Sequence, residues 1–282
     1  MIAVSGYQTK TRIYRSIVYA VLSIAGIFYI APFYWMVSTS FKPMSEIFEW
    51  PPTLYPQNFT IENYFRVFEV VPMALFYWNT LLVSVIIVVA ELLLASFTGY
   101  LFEKIRFRFK EFIFSCILFT MIIPFESRLV PLYLLMDQLG LVDTHAAVVI
   151  PALITGFAIF FFRQNMKAIP DDLLDSAKID GCTIIGRYRH IVVPLIKPAI
   201  GTIAIFSFMH SWTDFLWPLI ILNTTNKMLL EQGLAFFSQG VEFQEEGARM
   251  AGASIAVIPI LVVFLFAQKY FVRGIALTGL KA

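Results

Sequence analysis

Six stretches of this chain, residues 16–41, 78–102, 112–136, 145–163, 198–222 and 250–270, are predominantly apolar. Each approaches or exceeds the roughly 20 residues a helix needs to cross the hydrocarbon core of a bilayer. Inside hydrocarbon every backbone N–H and C=O must find a partner within the protein, which admits helices or closed barrels. The runs lack the alternation of barrel strands, so each is expected to be a helix. Only 14% of residues are charged and 59% are hydrophobic, against about a quarter charged in soluble proteins. Too little polar chain remains for a separate soluble domain. The expectation is an all-α, polytopic membrane protein, with a short segment 1–15 ahead of one membrane domain, 16–282.

Direction follows from the basic residues between the runs, which favour the cytoplasm. All but five of the 21 Lys and Arg fall in the N-terminal segment, the 103–111 loop, the 163–197 loop or the C-terminal tail; the exceptions are Lys42, Arg66, Arg128, Lys227 and Arg249. Both termini are therefore expected in the cytoplasm. Segments 42–77 and 223–248, the second with Glu231, Glu242, Glu245 and Glu246, are expected to face outward. The first run is uncharged from Ser16 to Phe41, longer than the apolar core of a signal peptide, and reads as a retained signal-anchor helix. Cys116 and Cys182 fall in an apolar run and in a cytoplasmic loop, where a disulfide is not expected. The net charge of +2 gives no footprint for nucleic acid. No inverted repeat of three plus three helices is apparent, which argues against many secondary carriers.

The longest polar stretch is DDLLDSAKIDGCTIIGRYRH, residues 171–190. The spacing of Gly181 and Gly186 imitates a phosphate-binding loop, but Arg187 and Tyr188 stand where the lysine and the Ser or Thr must be. Its local chemistry predicts two short helices instead. Pro170 suits a first turn, and Asp171, Asp172 and Asp175 complement the positive end of a helix dipole. Leu173, Leu174 and Ala177 form an apolar stripe, while Lys178 and Asp180 can face water. Gly181 can end that helix in a left-handed conformation, and Thr183 can cap the next. Ile184, Tyr188 and Ile191 follow at helical spacing, and Pro194 is expected to close the element. A helix pair around a glycine bend is a docking knob.

The same residues carry a family resemblance. Asp175-Ser176-Ala177, three residues, Gly181, nine residues, Ile191, one residue and Val193-Pro194 resemble the EAA loop of ATP-binding-cassette importer permeases, with Asp for Glu, Ser for Ala and Val for Leu. Asn79-Thr80, Pro131-Leu132-Tyr133, the run Leu139 to Thr144, Ile169-Pro170, the run Trp212 to Leu219 and Phe271-Val272-Arg273-Gly274 extend the likeness to the carbohydrate-uptake type, similar to the second maltose permease. The resemblance implies a type I importer permease fold of six helices in a bacterial or archaeal cytoplasmic membrane. It also implies that Asp175, Ser176, Ala177, Asp180, Gly181, Ile191 and Pro194 couple the chain to its ATPase. The implied partners are a second permease subunit, two cytoplasmic ATP-binding subunits and an extracytoplasmic solute-binding protein. ATP and magnesium would sit on the ATPase, with no cofactor on this chain.

Polar groups within the apolar runs are functional candidates, because a charge at mid-membrane is costly unless it faces protein or water. Glu91 lies midway in the second run, Glu126 and Arg128 follow Pro124 in the third, and Asp214 lies in the fifth near His210, Trp212 and Trp217. Glu126, Arg128, Asp214, Asn79 and Trp212 match what a sugar needs, polar partners for hydroxyls and an aromatic face for the ring, and Glu91 is a further candidate on the substrate pathway. The alternatives are that Glu126 and Arg128 pair at a helix kink, that Trp212 and Trp217 belong to an interfacial aromatic belt, and that His145 is interfacial. Arg128 equally suits the phosphate of glycerol 3-phosphate. Two further readings are a secondary carrier with Glu91 as its proton site, and an intramembrane enzyme built on Glu126, Asp214 and His210. The second has no HExxH or nucleophile motif behind it.

Overall fold

The computed structural model describes residues 2–240 and 246–279, and within them only helices and connecting turns. Glu242 and Glu245 lie outside the described residues. The chain divides into two compact units, 1–71 with 237–255, and 72–236 with 256–282.

The first unit holds α1 (Ile2–Ser40), α2 (Met44–Ile47), α3 (Glu62–Val70) and the start of α15 (Glu246–Gly279). α1 begins well before the uncharged run. Its last turn is clasped by the segment that follows: Asn63 donates to the carbonyls of Ser40 and Lys42 at 2.9 and 2.8 Å, and the Ser38 hydroxyl donates to Leu54 O at 2.8 Å. Lys42 and Glu46 are buried there, Lys42 donating to Thr53 O and Glu46 accepting from Thr53, Gln57 and Asn58.

The second unit is built on α4 (Met73–Lys104), α5 (Lys110–Thr120), α6 (Phe125–Gln138), α7 (His145–Ala152) and α8 (Gly156–Met166). It continues through α9 (Asp171–Ile179), α10 (Ile184–Arg187), a wider π-type turn at Tyr188–Val192, and α11 (Val193–Leu195). α12 (Lys197–Trp212), α13 (Leu216–Ile221), most of α14 (Leu230–Gly240) and α15 from Ala256 onward complete it. Among the described residues four helical stretches are long and apolar enough to cross a membrane, and the number is six with each of two bent pairs taken as one span.

The single helices expected over 112–136 and 198–222 are each interrupted, the first by a bend and the second by a break. α5 and α6 meet at 101° across residues 121–124. Pro124 cannot donate a backbone hydrogen bond and disfavours helical geometry in the residue before it. The helical stretch 184–195 meets α12 at 81°, so the bend follows Pro194 instead of occurring at it. α12 ends at Trp212, and a break of three residues precedes α13. Pro218 has no N–H to offer the carbonyl of Asp214 four residues back. The 145–163 run is likewise divided, with Thr155 capping α8 by accepting from Ala158 N at 3.2 Å.

α4 is the spine. A Cβ at Gly99 would stand 2.9 Å from Phe162 Cβ and 3.0 Å from Arg163 N, so the lack of a side chain lets α4 and α8 approach backbone to backbone. Two apolar clusters lie along α4. One joins Ala95, Tyr100 and Phe102 to Phe114, Ala158, Phe162, Met166, Val192 and Ile203; the other joins Val83 and Ile87 to Met136, Ala147, Val148, Trp217 and Ile221.

Candidate functional site

The knob at 171–195 forms largely as its local chemistry requires. Thr183 accepts from Gly186 N at 3.0 Å, capping α10, and Gly181 closes α9 at φ +82°. Cys182 N and Gly181 N return to the carbonyls of Ala177 and Lys178 at 2.9 and 3.1 Å, a left-handed helix closure. Leu174 and Ala177 face the bundle and are buried, whereas Leu173 is exposed. Asp175, Ser176, Asp180 and Gly181 are exposed, Ile191 is half-buried, and Pro194 is exposed. The free side of the knob carries apolar residues among its charged ones, with Ile179, Ile184 and Ile185 87%, 41% and 67% exposed. Burying such a face against a partner removes it from water and is favourable.

The inner side of the knob is joined to α4. The hydroxyls of Tyr188 and Ser96 lie 2.6 Å apart, and the Tyr188 ring packs edge-on to Phe97 and tilted against Tyr100. Lys104 donates to Ile169 O at 2.6 Å and to Asp171 at 2.7 Å, spanning the step from α8 into α9. The Lys104 ammonium holds the Asp171 carboxyl below the usual range. Buried Arg163 bridges Glu103 at 3.1 Å and Glu111 at 2.7 Å, with its guanidinium 4.0 Å over the Phe114 ring. Knob, α4, α5 and α8 are thereby tied at one end of the bundle.

The intramembrane candidates do not form a common hydrogen-bonded group among the described residues. Asn79 is buried and donates to Asn226 O and Met228 O at 3.0 and 3.1 Å, holding a loop. Trp212 is buried, donates to Ala256 O at 3.0 Å, and packs on Phe208 and Tyr77. Trp217 is buried too, donating to Ala147 O at 2.9 Å. Both are core residues and not an interfacial belt. Glu91 is buried and accepts from the Thr155 hydroxyl at 2.5 Å. Glu126 and Arg128 are exposed without an ion pair between them among the described residues; Arg128 instead lies 5.7 Å over the Phe125 ring. Asp214 is half-buried and His210 exposed. His145 is half-buried and its Nε2 joins Lys227 O at 2.9 Å, linking α7 to the segment before α14.

The protein-family model for the binding-protein-dependent transport system inner membrane component matches residues 91–277. The chain belongs to this family. The permease is 35% identical to the arabinooligosaccharides transport system permease protein AraQ of Halalkalibacterium halodurans, over 87% of this chain and 89% of that one. It is 34% identical to the lactose transport system permease protein LacG of Rhizobium radiobacter, covering 91% and 93%. It is 30% identical to the sn-glycerol-3-phosphate transport system permease protein UgpE of Brucella abortus, covering 90% and 94%. Its fold is that of a chain in a crystal structure of a bacterial ABC transporter involved in the import of the acidic polysaccharide alginate. The TM-score is 0.84 at 24% identity, covering 92% of this chain and 97% of that one. The protein is thus a multi-pass inner-membrane ABC transporter permease, a transport subunit and not an enzyme.

Several residues that organise the permease are not evident from local spacing. Glu103, Lys104, Glu111 and Arg163 read as ordinary loop charges, yet with Asp171 they fasten four helices together. Asp143 sits at φ +59° and receives Asn223 N, Thr224 N and the Thr224 hydroxyl at 2.8, 2.9 and 2.6 Å, with Lys227 Nζ at 3.0 Å. The Thr224 hydroxyl first, then these N–H groups and the Lys227 ammonium, hold its carboxyl far below the usual range. The signal available in sequence was the Val142-Asp143-Thr144 motif, whose partners lie some eighty residues away.

Proposed function

We propose that this permease is the membrane subunit of an importer for a sugar of di- or oligosaccharide size, driven by ATP hydrolysis in partner subunits. The knob within loop 163–197 seats in a cleft of the cytoplasmic ATPase. Closure of the ATPase around ATP and magnesium moves the knob and rocks the bundle from inward-open to outward-open. A solute-binding protein on the outer face then releases its cargo into a cavity shared with a second permease subunit. Residues 1–15 and both termini lie in the cytoplasm, and 16–282 form the membrane domain.

One observation carries this reading: a knob that exposes Ile179, Ile184 and Ile185 and is bent at Gly181 is hydrogen-bonded through Tyr188 and Asp171 to the longest helix of the second unit. Force on such a knob reaches the spanning helices through short polar and aromatic contacts. The sugar assignment is supported by the cargo named for AraQ and LacG. A second reading, glycerol 3-phosphate, is supported by the cargo named for UgpE and by exposed Arg128, whose guanidinium suits a phosphate.

The deciding experiment for coupling is Gly181→Asp in the assembled importer. Normal uptake by that variant defeats the coupling role; lost uptake with normal membrane insertion supports it. The cargo is decided by calorimetry on the cognate solute-binding protein with oligosaccharides and with glycerol 3-phosphate.

A further inference from the structure

Glu91 is a buried carboxylate that the proposed transport cycle does not use, and its position along α4 is informative. The cluster at the knob end takes Ala95, Tyr100 and Phe102 from α4, and the far cluster takes Val83 and Ile87. Among the described residues of these two clusters, α4 is the only helix that contributes to both. Glu91 lies between Ile87 and Ala95, at the waist between the clusters.

The fourth span breaks at the same level. α7 gives Ala147 and Val148 to the far cluster, and α8 gives Ala158, Ile159, Phe162 and Met166 to the knob cluster. The residues between them, 153–155, end in Thr155. Its hydroxyl has two partners: it accepts from Ala158 N at 3.2 Å, capping α8, and donates to Glu91 Oε1 at 2.5 Å. The acceptor on Glu91 thereby orients the hydroxyl that starts the knob-side half of the span. The Glu91 end of this bond is buried, while Thr155 stands at an exposed position of the span.

We infer that the Glu91–Thr155 pair is the pivot pin of the permease, a pair of positioning residues that lets the knob half and the far half rotate as bodies about one fixed point. The inference rests on the coupled-importer reading. What the pin requires of residue 91 is an acceptor, not a charge.

The test uses the importer assembled with its partner subunits in lipid nanodiscs. Exposed Cys116 and Cys182 are replaced by Ser, and spin labels are placed on Ile150→Cys in α7 and Phe112→Cys in α5, both exposed positions. The inter-label distance is compared before and after adding ATP and vanadate. Wild type and Glu91→Gln, which keeps the acceptor, are expected to shift alike. Glu91→Leu and Thr155→Val each lose about half of the shift or more, and the double variant loses no more than the worse single, as coupled residues do. Thr155→Val removes one hydroxyl and decides the matter where Glu91→Leu does not assemble. A full shift in Thr155→Val or Glu91→Leu, a Glu91→Gln variant as impaired as Glu91→Leu, or losses that add, overturns the pivot alone. A lowered melting temperature with an intact shift also overturns it, reducing the pair to a structural role. A wild-type importer whose distance ignores ATP and vanadate overturns the importer reading, and the pivot with it.

Discussion

The Tyr188 hydroxyl of the knob and the Ser96 hydroxyl of α4 stand 2.6 Å apart, and Ser96 also donates to Leu92 O one turn back. With Ser96 committed to that carbonyl, Tyr188 is the donor to Ser96. Tyr188→Phe keeps the ring contacts and deletes the donor. Losing one such bond costs about 1 kcal/mol, so the importer is expected to assemble and hydrolyse ATP while transporting less per ATP. Uptake and phosphate release measured on the same proteoliposomes give that ratio.

At Gly181 the demand is on the backbone. A Cβ would meet nothing within 4 Å, but φ is +82°. Gly181→Ala therefore costs about 1 kcal/mol through the left-handed conformation alone. Gly181→Asn, which tolerates that region better, is expected to fall between Ala and wild type in uptake. Circular dichroism on a peptide covering 168–197 separates the local cost from the docking cost.

Arg163 joins two carboxylates from two helices, so Arg163→Lys cannot replace its fork. Arg163→Ala leaves Glu103, largely buried, without its cation. The expected loss is about 1–3 kcal/mol, read as a lower melting temperature of the purified permease in detergent. Arg163→Lys is expected to recover less than half of it.

The latch at Asp143 depends on pH in a definite direction. Its folded carboxyl titrates far below the unfolded value. The stabilisation is therefore complete above about pH 4 and is lost as pH falls below it. The amides of Asn223 and Thr224, which donate to Asp143, are expected to exchange faster with deuterium below about pH 4 after correction for intrinsic rates. Asp143→Asn, which tolerates the left-handed backbone, is expected to open the loop at neutral pH and to abolish its acid dependence.

Trp212 separates packing from recognition. Buried among Phe208, Tyr77 and Ala256 O, it has no exposed face for a sugar ring. Trp212→Phe is expected to lower the melting temperature, at a cost of about 1–3 kcal/mol, and to leave the KM of uptake unchanged. A raised KM at unchanged stability restores it to the substrate pathway.

What could be read from residues alone divides by the range of the interaction. Apolar run length located the spans, because crossing a bilayer is a local demand on about 20 consecutive residues. The Gly181 bend and the Thr183 cap were equally legible, since each closes within four residues. A kink after Pro124 was legible as an alternative, but its 101° size was not, because hydropathy sums polarity over a window and has no direction. Asn79 and Trp212 looked like cargo ligands for a different reason: the carbonyls they satisfy lie 147, 149 and 44 residues away. Polarity inside an apolar run announces that a partner is needed and does not identify it.

Those separations also bear on how the protein is made. α4 enters the membrane long before its polar side chains are satisfied: the partner of Glu91 is synthesised 64 residues later, that of Ser84 127 later, and those of Asn79 147 and 149 later. During synthesis α4 is a helix with an unanswered carboxylate, amide and hydroxyl facing lipid or the insertion machinery. A nascent chain stopped before Thr155 lacks the hydroxyl that donates to Glu91, and a carboxyl without its partner is costly inside the membrane.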